Sequence, residues 1–109
     1  MTATNKGLFL VEHRLPRVTE SELALFQAAI GDACARLTAR GDHVSYLGST
    51  FLPGPERLLS LFKAGSAEVV QSVSTSSQAP LTYLEAAVQL PAPALDEKGG
   101  WSTRTRSGR

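Results

Sequence analysis

One cysteine, one tryptophan and two histidines are all that 109 residues hold of the side chains that most often bond, ligate or stack. That scarcity excludes several chemistries. Cys34 alone cannot close an internal disulfide, so the fold must rest on core packing. In its helical setting beside Ile30 and Leu37 it reads as a small buried hydrophobe. No apolar run approaches the roughly 20 residues of a membrane helix, and no signal-peptide pattern is present, so a cytoplasmic location is the default expectation. There is no Gly-rich phosphate loop, no G-x-S-x-G elbow and no C-x-x-C pair. Charge of one sign is also lacking: the formal net charge is +1, with seven cationic and eight acidic side chains in residues 1–90 against four and two in residues 91–109. Neither a nucleic-acid partner nor a membrane partner is expected from that balance.

What is present is an ordinary domain composition, 42% hydrophobic and 19% charged, enough for one core. Residues 1–90 carry the patterned part, and residues 91–109 read as a flexible or loosely docked tail, with Trp101 its one candidate anchor. Met1 to Lys6 reads as a frayed end. A first strand is predicted from Gly7 to Leu15, with Leu8, Leu10 and Glu12 on one face and Phe9, Val11 and His13 on the other. Pro16 stops it. Thr19 and Glu22 form a capping box that starts a long helix near Glu20. Leu23, Phe26, Ile30, Cys34 (or Ala33) and Leu37 make its apolar stripe, and Gly41 its left-handed stop. Gly31 inside it suggests a close backbone approach.

His43 to Leu52 and Arg57 to Lys63 are predicted to form a hairpin around Pro53-Gly-Pro-Glu56. Ser66 or Gly65 caps a shorter helix with Val69, Val70 and Val73 inward, and its serines from Ser72 to Ser77 read as a solvated end. Leu81 to Leu90 is the last strand. Strand, helix, strand, strand, helix, strand is the α+β ferredoxin-like βαββαβ order, with two helices on one face of a four-stranded antiparallel sheet. The sheet's second face also carries apolar residues, so a homodimer is expected in which two sheets enclose a dimeric α/β barrel.

Phe9-Leu-Val-Glu-His-Arg-Leu-Pro16 followed by Val18-Thr-Glu-Ser-Glu-Leu23 resembles the small bacterial DUF4242 family, which includes nickel-binding proteins. The resemblance runs to about Leu90. Tyr46-Leu-Gly-Ser-Thr-Phe-Leu-Pro53 looks like the family's second strand and turn, and Leu59-Ser-Leu-Phe-Lys-Ala64 like its third strand. It implies a ferredoxin-like dimer. Ser60 stands where the family often has Cys, and Thr50 where it usually has an aromatic residue; both differences remove features that help hold a metal.

Two functions follow as expectations. The leading one is a hydrophobic or aromatic small molecule bound in a cavity between two sheets, lined by Leu10, Leu58, Ser60 and Phe62, with cofactor-independent acid–base turnover of secondary metabolism as the reaction open to it. Glu12, Glu85, His13 and His43 are the candidate bases, with Tyr46 and Tyr83 as donors. Glu85 leads because alternation sets it with Tyr83 opposite Leu84, Ala86 and Val88. The alternative is a transition-metal protein, with Glu12 and His13 as nickel ligands. No dedicated ligand spacing supports it, and partly exposed strand-end histidines are the simpler reading.

Overall fold

The computed structural model describes residues 7–77 and 81–93. The expectations for Met1–Lys6, for residues 94–109 of the tail and for Trp101 within it lie outside those residues. The elements are β1 (Gly7–Arg14), α1 (Glu20–Ala39), β2 (Val44–Leu52), β3 (Arg57–Ala64), α2 (Ala67–Ser76) and β4 (Leu81–Ala87). The sheet runs β2-β3-β1-β4 with every pair antiparallel. This is the ferredoxin-like arrangement that the element order predicted.

Local chemistry sets the boundaries. Thr19 accepts from the Glu22 backbone N–H at 3.1 Å, and the Glu22 carboxylate accepts from the Thr19 N–H at 2.9 Å, so the box satisfies two donors the helix start would otherwise orphan. At the other end Gly41 takes φ 101. The Asp42 N–H then returns to the Leu37 carbonyl at 2.9 Å and the Gly41 N–H to Thr38 at 3.0 Å, which is a Schellman stop. Ser66 caps α2 through the Val69 N–H. β4 ends at Ala87 rather than Leu90, and Ala87 pairs with Leu8 of β1.

Both helices cover one face of the sheet. Ile30, Ala33, Cys34 and Leu37 of α1 and Val70 and Val73 of α2 pack there with Val11, Val44, Phe62 and Ala64. Burial raises the Cys34 thiol pKa, as the small-hydrophobe reading requires. Gly31 departs from expectation: a Cβ there would meet nothing within 4 Å, so no close approach explains it.

The cross-strand register sorts the strand residues between two faces. Across the helix-covered face run Tyr46, Phe62, Phe9 and Ala86, then Ser49, Ser60, Val11 and Leu84, then Phe51, Leu58, His13 and Leu81. The opposite face carries Gly48, Leu61, Leu10 and Glu85 in one row, flanked by Thr50, Leu59, Glu12 and Tyr83. No element of the described residues packs over this second face, and no helix among them is long and apolar enough to cross a membrane.

Candidate functional site

The open face of the sheet holds a groove of about 420 Å³. It is lined by Leu10 of β1, Leu59 and Leu61 of β3, and the β2 stretch from Leu47 to Thr50. A bulge shapes that stretch. The β2–β3 register slips between Tyr46 and Gly48, leaving Leu47 as the extra residue, half exposed beside the groove. Gly48 sits at φ 133, where an L side chain is strained, and a Cβ built on it would point into open space. The groove therefore exists where a strand row lacks a side chain.

A chain of hydroxyls clamps this stretch from behind. Ser60 is fully buried, and its only hydrogen-bond partner among the described residues is Ser49, 2.6 Å away. A buried O–H needs an acceptor, so Ser60 donates to Ser49, which is in turn hydrogen-bonded to the Tyr46 hydroxyl. The Tyr46 oxygen also accepts from Gln27 Nε2 on α1 at 3.0 Å. The bulge is thus tied to β3 and to α1.

Beside the groove, Glu12 accepts from Arg57 Nη1 at 3.0 Å and from Thr82 Oγ1 at 3.3 Å, which neutralises and anchors it. Tyr83 stands opposite Glu12 across the β1–β4 pair and is 45% exposed. Glu85 stands opposite Leu10, and its exposed carboxylate has no ion pair or hydrogen bond among the described residues.

Of the residues expected to act together, Glu12, Tyr83, Glu85 and Leu10 share the open face. The others do not join them. Leu58, Ser60 and Phe62, expected to line the cavity, are buried under the helices, since β3 alternates and the helices take their side. Tyr46 turns to the same core side, engaged with Gln27 and Ser49. His43 is exposed just ahead of β2. None of Tyr46, His13 and His43 can serve as the partner expected for Glu85.

His13 corrects the strand-end reading most clearly, being 1% exposed. Its ring stands edge-on to Phe26 with centroids 5.0 Å apart, and Nε2 lies 3.4 Å from Ser74 Oγ. Nδ1 is buried without a partner. Desolvation lowers its pKa to about 4, so it is a neutral core group at pH 7. Ser74, expected on a solvated helix end, is buried with it. Since Glu12 and His13 are consecutive in a strand, they point to opposite faces, and they do not fit one metal ion. Among the described residues no group of three or more His, Cys, Asp or Glu side chains converges on a common point.

No protein-family model matches the chain, and no curated protein matches it. Among solved structures, it is similar to the crystal structure of SCO4226 from Streptomyces coelicolor A3(2), with a TM-score of 0.62 and 21% sequence identity. The match covers 78% of this chain and 99% of the other. At that identity the likeness establishes the ferredoxin-like fold and nothing further.

Proposed function

We propose that this chain is a small-molecule-binding protein that takes an apolar ligand in the groove on the open sheet face. The observation that carries the reading is the groove itself: four leucines and a bulged strand, uncovered by any element of the described residues. Binding rather than turnover is the activity proposed, because the six residues expected to share acid–base work are divided between the open face, the core and the exposed approach to β2.

A homodimer belongs to the same proposal. Leu8, Leu10, Leu59 and Leu61 form an apolar centre on this face, with Leu47 and Tyr83 exposed around it. A second copy laid sheet to sheet would cover that centre and turn the groove into an enclosed cavity. The resemblance of Phe9 to Pro16 and of Val18 to Leu23 to DUF4242 proteins supports assignment to that family, and the ferredoxin-like fold agrees with it. A cytoplasmic setting fits the single, buried, reduced Cys34.

Titration with a neutral apolar fluorophore tests the reading. Saturable emission enhancement is expected, and Leu61→Asp should abolish it while leaving the far-ultraviolet circular dichroism unchanged. Absence of saturable binding to the unmodified protein, or unaltered binding to Leu61→Asp, would count against the groove.

A further inference from the structure

The row that holds the groove has a direction. Gly48, Leu61, Leu10 and Glu85 follow one another across β2, β3, β1 and β4 on the open face. Three interstrand spacings of about 4.8 Å make this lane about 14 Å long. One end is bare backbone, because Gly48 carries no side chain and faces open space. Its middle is two leucines, and its far end is a carboxylate.

The charges around the lane are not equivalent. Glu12, in the neighbouring row, is neutralised by Arg57. Glu85 has no counter-ion among the described residues, and it is the direct cross-strand neighbour of Leu10, a residue lining the groove. Lys63, a cation of the same face among the described residues, lies two residues along β3 from Leu61. Its cross-strand neighbours are Leu8 and Ser45, neither of which lines the groove. A molecule lying on Leu61 and Leu10 therefore meets, at the β4 end of its path, a negative charge that no described residue compensates.

We infer that the groove selects elongated apolar molecules bearing a protonated amine at one end, with the apolar body on Leu61 and Leu10 and the ammonium at Glu85. This inference rests on the groove reading above and adds to it the polarity and class of the ligand. An apolar body recovers the burial of the leucines, and an ammonium gives Glu85 the charge-assisted donor it lacks. An alcohol of the same length would keep the first contribution and lose most of the second. A carboxylate would be repelled at the same end.

The test uses the full-length chain and displacement of a neutral fluorophore by octylamine, octanol and octanoate at one pH and ionic strength. Octylamine should compete better than octanol by up to about fivefold, the upper size expected of one exposed ion pair, and octanoate should be the weakest. In Glu85→Gln, octylamine should fall to the level of octanol, and octanol should be unchanged. Equal competition by amine and alcohol in the unmodified protein, an amine preference that survives in Glu85→Gln, or octanoate as the best competitor would overturn the inference, while octanol binding would keep the groove. If none of the three displaces the fluorophore, the groove reading falls and the inference falls with it.

Discussion

Acidification should unfold this protein through a histidine in its core. His13 is fully enclosed between the sheet, Phe26 and Ser74, and its pKa is lowered from 6.5 to about 4. The unfolded chain binds the proton at the ordinary value and the native state resists it, so the unfolded state carries more protons wherever the pH lies between the two. Stability is thus full above about pH 6.5 and is lost as pH falls toward 4. Linkage between those two values gives about 3 kcal/mol in total and about 2 kcal/mol between pH 7 and pH 5. Urea unfolding at fixed protein concentration and stepped pH reads this directly, with His13→Leu as the reference that removes the titration and keeps an apolar side chain of similar size. Exposed carboxylates act in both proteins, so the difference between the two stability profiles isolates His13. Unmodified protein should lose about 2 kcal/mol more than His13→Leu on going from pH 7 to 5. Parallel profiles across that range would refute the buried, neutral imidazole.

Three further outcomes follow from the packing. Ser49→Ala should cost about 1–3 kcal/mol in urea unfolding, because it strands the buried Ser60 hydroxyl, and the Ser49→Ala/Ser60→Ala pair should cost less than the sum of the single changes. Thr19→Ala should lower stability by about 1 kcal/mol through loss of the capping box, read by thermal or urea melting. Gly48→Val should destabilise by at least about 1 kcal/mol, since a β-branched residue is forced to φ 133, and should also weaken fluorophore binding by placing a side chain in the groove.

The element order was legible because its signals are local: a capping box at Thr19 and Glu22, a proline stop at Pro16, a glycine at the α1 exit and period-two strands. Glu85 and Tyr83 were correctly set opposite Leu84 for the same reason. The choice of face on β3 was not legible. Leu58 and Phe62 alternate with Leu59 and Leu61, so both faces read as apolar and alternation alone cannot say which one the helices cover; the structure puts Leu58 and Phe62 in the core and Leu59 and Leu61 at the groove. β2 hid a second difficulty. Strict alternation separates Tyr46 from Ser49, yet the extra residue at Leu47 brings them to one face, where they bond to each other. Gly48 inside a strand was the available sign of that bulge. His13 escaped because the residues that enclose it, Phe26 and Ser74, are distant in sequence, and only the packing of both helices on β1 brings them there.

The most direct test of the uncovered leucine face as the working surface is sedimentation velocity of the unmodified protein and of Leu61→Asp from micromolar to about 100 µM. The account predicts a dimer for the unmodified protein and a folded monomer for the variant, since the substitution places a charge in the apolar centre without touching the helix-covered core. An unmodified protein that stays monomeric throughout, or a Leu61→Asp variant that dimerises equally well, would contradict it.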